Sequence, residues 1–183
     1  MRVTSLAIAD VKLIEPRVWN DARGFFLESY REDQYAEAGI GPFVQDNQSF
    51  SQRGVLRGLH YQWPHNVQGK LVSVGRGTVW DVAVDIRRGS PTFGKWVGTE
   101  LSSENHRQLW VPPGFAHGFV VLSEAALVTY KCTAYYSPAD EVSIRWDDPT
   151  IAVQWPVTDP TLSGKDAVAP LLADLSADRL PPL

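Results

Sequence analysis

Residues 69–86 read Gly69-Lys70-Leu71-Val72-Ser73-Val74-Gly75-Arg76-Gly77-Thr78-Val79-Trp80-Asp81-Val82-Ala83-Val84-Asp85-Ile86. Both arms are rich in β-branched residues, and Gly75-Arg76-Gly77 between them predicts a hairpin turn. The second arm alternates. Its large apolar residues take one face, and Asp81 and Asp85 take the other. Working outward, strand signals recur at residues 25–30 (after the turn-like 20–24), 55–62, 96–101, 108–111, 118–122, 126–136 and 142–146. Helix signals are few. Residues 31–38, closed by Gly39, fit one short helix. A second candidate follows Ser163-Gly164-Lys165-Asp166 and runs through 171–175, with Pro170 limiting where it starts. Strands without intervening helices exclude a parallel α/β sheet. They predict an all-β antiparallel sandwich or barrel with a few short peripheral helices. With no repeat, low-complexity tract or interior linker, residues 1–183 are expected to form one domain. Leu180-Pro181-Pro182-Leu183 is expected to be a loose terminus.

Composition narrows the function. The chain has 17 Lys and Arg against 21 Asp and Glu, a net charge of −4, which argues against general nucleic-acid or membrane-surface binding. Cys132 is the only cysteine, so no internal disulfide is possible. The N-terminal residues Arg2, Asp10 and Lys12 interrupt any apolar region. The longest uncharged run, 109–123, is too short and too rich in proline and glycine to span a bilayer. A soluble, cytoplasmic protein is the expectation.

His60 is the first candidate for chemistry. It ends the run Val55-Leu56-Arg57-Gly58-Leu59-His60-Tyr61-Gln62, with a cation three residues before it. Position 62, where a metal site would place a second histidine, is Gln62. A strand-borne imidazole near positive charge suits an acid–base group beside an anionic ligand, the alternative being a half-buried histidine satisfied by backbone. Arg57 and His60 have opposite parity in a regular strand. For both to reach one ligand the strand must bulge, and Gly58 is the place for it. A second segment, Trp110-Val111-Pro112-Pro113-Gly114-Phe115-Ala116-His117-Gly118-Phe119, makes a tight turn and re-enters a strand carrying His117. Its Pro-x-Gly-x-x-His pattern resembles the second motif of the cupin superfamily, a small antiparallel jelly-roll barrel. A metal-binding cupin would pair His60 with another histidine. Here Lys70, which repels a divalent cation and attracts an anion, follows instead, so no metal is expected. His65 and His106 read as surface residues.

The segments 23–30, 43–47, 54–62, 68–72, 81–85, 89–94, 114–119 and 135–138 stand in the order seen in the dTDP-4-dehydrorhamnose 3,5-epimerases, and the resemblance runs to about Asp166. It implies a cofactor-free epimerase inverting C5 and C3 of a dTDP-linked 4-keto-6-deoxyhexose on the way to dTDP-L-rhamnose. In that family His60 would be the base and Tyr130 the acid, with Asp166 holding the imidazole's other nitrogen and Lys70 meeting the enolate. Arg23, Arg57 and Lys165 would meet the diphosphate. Glu28, Gln45, Asn47, His117 and Glu141 would supply the remaining substrate contacts, and a homodimer is the implied assembly.

Each role has a structural rival. Tyr130 shares a strand face with Val128, Cys132 and Ala134, as a core residue would. Asp166 fits the helix-capping pattern Ser163-x-x-Asp166. Glu28 and Glu141 suit solvated strand positions, and Arg23 a turn. The chain also departs from its relatives. Gln48 replaces a frequent histidine, and residues 123–129 lack an aromatic common there, which bears on the balance between C3 and C5 inversion. A mono-epimerase and a catalytically silent sugar-nucleotide-binding cupin are the alternatives.

Overall fold

The computed structural model describes residues 1–183. In chain order the strands are β1 (Arg2–Ser5), β2 (Lys12–Glu15), β3 (Val18–Asp21), β4 (Gly24–Leu27), β5 (Gln45–Gln52), β6 (Leu56–Gln62), β7 (Lys70–Arg76), β8 (Thr78–Asp85), β9 (Trp96–Ser102), β10 (Gln108–Val111), β11 (Phe115–Val121), β12 (Ala125–Cys132) and β13 (Glu141–Ser143). Two short helices, α1 (Glu32–Glu37) and α2 (Gly164–Ala167), lie at the periphery. All strand pairing is antiparallel. A six-stranded sheet has the order β1-β2-β10-β7-β12-β5 and a five-stranded sheet the order β13-β6-β11-β8-β9, while β3 and β4 form a separate hairpin. This is the all-β antiparallel architecture that the strand pattern predicts, in the jelly-roll form that the cupin resemblance implies.

The expected hairpin across Gly75-Arg76-Gly77 does not form. β7 pairs with β10 and β12, β8 with β11 and β9, so the chain crosses between sheets at this corner. Gly77 has φ +81°, and a Cβ there would lie 2.1 Å from the Ala125 carbonyl oxygen. The glycine serves a sheet-switching corner, and local β propensity cannot distinguish that from a hairpin.

Between the sheets lies an apolar core of Val72, Val74, Val79, Ala83, Leu101, Leu109, Phe115, Phe119 and Val128 among others. The five-stranded sheet is covered on its outer face too. Val82, Val84 and Ile86 pack there with Leu59, Tyr61, Ala116, Ile144, Ile151, Leu172 and Leu180. Each valine, leucine, isoleucine or phenylalanine among them contributes roughly 1.5–3 kcal/mol relative to exposure. The aspartate-bearing face of β8 therefore looks into the barrel, and Asp81 and Asp85 are fully buried.

Asp85 organises the turn after β8. Its carboxylate accepts from the Arg87 guanidinium (2.8 and 2.9 Å), the Ser90 hydroxyl (2.6 Å) and the Thr92 hydroxyl (2.6 Å). Burial alone would raise its pKa, but these donors outweigh it and bring it down to about 2.

Two terminal expectations need correction. The C-terminal helix is broken into α2 and a 3₁₀ turn at Leu172–Asp174, separated by Pro170. The tail is pinned, with Leu180 and Pro181 buried, the Arg88 N–H donating to the Pro181 carbonyl and the Leu183 N–H to the Arg88 carbonyl. Apolar burial against β8 outweighs the flexibility its composition suggests.

Candidate active site

The site is built on β6 and the strands around it. His60 pairs with His117 on β11, and Arg57 with Phe119, so three steps on β6 face two on β11. The extra residue sits at Gly58–Leu59 and cancels the parity difference between Arg57 and His60. Gly58 is required here: φ is +138°, and a Cβ would stand 2.5 Å from Gly118 Cα and 2.9 Å from the His117 carbonyl oxygen. Arg57 consequently turns toward the six-stranded sheet. Its Nε donates to Ser51 Oγ on β5 at 3.1 Å, and its charge favours ionisation of Tyr130.

His60 meets Asp166 across 106 residues of sequence, with Nε2 2.5 Å from Oδ1. The capping pattern is realised only in its Ser163 half, and the Asp166 carboxylate goes to the histidine. The Asp166 backbone N–H donates to Ser163 Oγ at the N-terminus of α2, while its carboxylate, 3% exposed, goes to the imidazole. Burial pushes the carboxyl pKa up, but the bond to His60 and the attraction of its charge outweigh that and hold it below the ordinary aspartate value. Asp166 therefore offers the ring an ionised acceptor, leaving Nδ1 as the other nitrogen.

A cleft of about 80 Å³ lies above this pair, lined by His60, Gln62, Lys70, Tyr130, Tyr136, Glu141 and neighbours. His60 comes from the five-stranded sheet and Tyr130, on β12, from the six-stranded one, so they enter from opposite walls. Tyr130 lies opposite Asn47 in register, and burial raises its phenol pKa, keeping it protonated. Lys70 on β7 has its Nζ 5.8 Å from the Tyr130 ring centroid. Burial pushes its ammonium pKa down, and Cys132, Asp81 and Glu141 only partly offset this through longer-range attraction. A half-buried, incompletely neutralised cation favours an anion beside it.

The rim and floor complete the arrangement. Glu141 accepts from Lys165 Nζ at 2.7 Å and from the Tyr136 hydroxyl at 3.1 Å. Gln45 donates to Asn47 Oδ1 at 3.0 Å and accepts the Tyr136 N–H at 2.9 Å. Buried His117 is held through Nε2 by both carboxylate oxygens of Asp81, at 2.9 and 3.0 Å. No group of three or more His, Cys, Asp or Glu side chains is disposed to hold a metal ion.

Two candidates stand apart. Arg23 is exposed on the β3–β4 hairpin, its guanidinium 2.6 Å from Asp21, and exposed Glu28 follows β4; neither lines the cleft. Conversely, sequence reasoning passed over Asp81, Gln62 and Tyr136. Asp81 had a signal, two aspartates four residues apart on one face of an otherwise apolar strand. Tyr136 and Gln62 lie in quoted motifs, but nothing local tells that they face one cleft.

The arrangement can take a proton on one wall, return one from the other, and stabilise negative charge between them. A family model described as dTDP-4-dehydrorhamnose 3,5-epimerase matches residues 5–174. The dTDP-4-dehydrorhamnose 3,5-epimerase of Salmonella typhimurium is 58% identical over 176 residues, covering 94% of this chain and 96% of that protein. The enzyme of that name from Pseudomonas aeruginosa is 57% identical over 184 residues, covering 99% and 100%. The crystal structure of dTDP-6-deoxy-D-glucose-3,5-epimerase RmlC from Legionella pneumophila, in complex with dTDP-4-keto-L-rhamnose, superimposes with a TM-score of 0.97 at 55% identity, covering 100% of this chain and 98% of that one. The chain belongs to the dTDP-4-dehydrorhamnose 3,5-epimerase family.

Proposed function

We propose that the chain is a cofactor-independent 3,5-epimerase of a dTDP-4-keto-6-deoxyhexose, acting in dTDP-L-rhamnose biosynthesis. The observation that carries this reading is the pairing of a carboxylate-held imidazole with a protonated phenol on the opposite wall of one cleft. C3–H and C5–H of such a sugar are acidified only by the C4 ketone. Inversion therefore needs a base, a cation for the enolate oxygen and an acid on the other ring face. His60 fills the first role, oriented by Asp166, Lys70 the second and Tyr130 the third. Substrate and product share one oxidation state, so the chemistry asks for no electron carrier. Arg57 and Lys165 supply positive charge for the diphosphate, and Gln45, Asn47, His117 and Glu141 polar contacts for the sugar and nucleotide.

A homodimer suits the β3–β4 hairpin. Trp19, Phe25 and Phe26 are 44, 59 and 69% exposed there, an apolar surface that a second copy would cover. In such a pair Arg23 and Glu28, remote from their own cleft, would be carried against the partner. The single buried thiol, Cys132, supports a reducing, cytoplasmic setting. No helix is long and apolar enough to cross a membrane.

Turnover of dTDP-4-keto-6-deoxyglucose in D₂O, followed by NMR, tests the reading. Deuterium is expected at both C3 and C5, and His60→Ala is expected to abolish exchange while retaining dTDP binding. Label at one carbon only would make the protein a mono-epimerase. Label at neither, with dTDP still bound, would leave a non-catalytic binding module.

A further inference from the structure

Gln62 occupies the position at which a metal-binding cupin would complete a His-x-His pair, two residues beyond His60 on β6. Its carboxamide is buried, with Gln62 3% exposed, and every polar atom of it is committed to backbone. Oε1 accepts the Ser137 N–H at 2.8 Å. Nε2 donates to the Tyr135 carbonyl at 3.1 Å and the Asn66 carbonyl at 2.5 Å. Two of these three partners flank Tyr136, whose ring lines the cleft and whose hydroxyl reaches Glu141.

The segment that carries Tyr136 has no ladder of its own. Residues 134–136 make no backbone–backbone hydrogen bond after the chain leaves β12. They are held by three glutamines instead: Gln68 donates to the Ala134 carbonyl at 2.8 Å, Gln45 accepts the Tyr136 N–H, and Gln62 grips both sides. This strap across the cleft is thus fastened by side chains rooted in both sheets.

We propose that Gln62 is a positioning residue. It clamps the strap so that Tyr136 walls the cleft, and the tightness of that wall sets the ratio of the second proton exchange to the first. The inference rests on the epimerase reading, because a single base, His60, must meet two different carbons of one ring. Between the two exchanges the sugar reorients inside the cleft, and a fixed wall limits the poses it can adopt.

The test uses Gln62→Leu and Gln62→Glu in the full-length protein, with two readouts. Amide hydrogen exchange at Ser137, measured without substrate, reports the clamp. The C3 to C5 deuterium ratio in D₂O turnover reports its consequence. In Gln62→Leu the Ser137 amide is expected to exchange about tenfold faster, the factor a lost hydrogen bond commands. The C3 to C5 ratio is expected to fall by about the same factor, with exchange at C5 much less affected.

In Gln62→Glu a protonated carboxyl can still accept from Ser137 and donate to a carbonyl, whereas the anion repels both carbonyls. The anion still accepts the Ser137 N–H, so the loss falls on the carbonyl side: the C3 to C5 ratio is expected to approach wild type at low pH and fall as pH rises, a profile the wild type lacks. This variant also carries the test should Gln62→Leu fail to fold. Unchanged Ser137 exchange in Gln62→Leu overturns the clamp, and so does a pH-independent ratio in Gln62→Glu. A loosened strap with an unchanged ratio overturns the positioning role. Absence of label from wild-type turnover would sink the epimerase reading itself, while the amide measurement would still decide the clamp.

Discussion

Asp166→Asn separates the two jobs that one residue performs. The substitution exchanges one carboxylate oxygen for an amide nitrogen beside His60 and leaves the backbone N–H on Ser163 Oγ, so α2 keeps its cap. The carboxylate lies 2.5 Å from Nε2 and is ionised in the neutral range, because the His60 bond and charge outweigh the effect of burial. When Nδ1 takes the sugar's proton, an imidazolium forms against that negative charge. A charge-assisted hydrogen bond of this kind is worth about 1.5–3 kcal/mol, or about ten- to 150-fold in rate. A second effect adds to it. An asparagine whose amide nitrogen faces Nε2 donates to the ring, moves its proton to Nδ1 and blocks the base, a tautomer error that can cost about 10⁴-fold. The expected outcome is a kcat for deuterium wash-in lowered by about 10² to 10⁴, with dTDP affinity by calorimetry changed by less than about threefold. Ser163→Ala is the complementary control. It removes the cap at a cost of about 1 kcal/mol in stability and should leave the exchange rate nearly unchanged. Wild-type exchange in Asp166→Asn would refute the reasoning and reduce Asp166 to a helix-capping residue.

Two further outcomes follow from buried charge. Asp85, with a folded-state pKa of about 2 against 3.8, favours the folded state by about 2 kcal/mol. Because the folded value is the lower, that contribution is complete above about pH 4 and is lost as pH falls toward 2. Asp85→Asn should be less stable at pH 7 by about 3 kcal/mol and should lack this part of the acid sensitivity, read from urea midpoints at pH 7, 4 and 2.5. Parallel acid profiles for the two proteins would contradict the assignment. Lys70→Met removes an ammonium whose pKa burial depresses. Its melting temperature should equal or exceed that of wild type, while C5 exchange should drop by about 10² or more. A variant that is less stable yet still active would show that Lys70 serves the fold and leaves the enolate to another group.

How much of this could be read from the chain depends on what each residue faces. Where a strand has one apolar face, as in Val79–Ile86, period two reveals it. Period two does not say which face is inside. Both faces of the five-stranded sheet are buried, one against the barrel interior and one under the C-terminal segment, so Asp81 and Asp85 lie on the inner face although they are the polar residues. β5 shows the same inversion in full. Gln45-Asp46-Asn47-Gln48-Ser49-Phe50-Ser51-Gln52 has no apolar stripe and reads as a loop, yet it pairs residue for residue with β12 from Gln45↔Cys132 to Gln52↔Ala125. Its inward row is Gln45, Asn47, Ser49 and Ser51, and two of these hold Tyr136 and Arg57.

The site divides along the same line. Segments with unusual residue strings, around His60 and His117 and including Lys70, announce themselves. Partnerships closed by the fold do not: Asp166 with His60, Asp81 with His117 and Gln62 with the strap span 106, 36 and about 75 positions. A barrel that works through its interior must place polar side chains where a purely structural barrel places apolar ones. Some departures from apolar-inside patterning therefore mark the catalytic wall, while Asp85, whose carboxylate organises a turn, serves the fold alone. Asn47 and Gln62 line the cleft, Gln45 and Gln62 hold the strap that carries Tyr136, and Asp81 holds the His117 that pairs with His60 across β6 and β11.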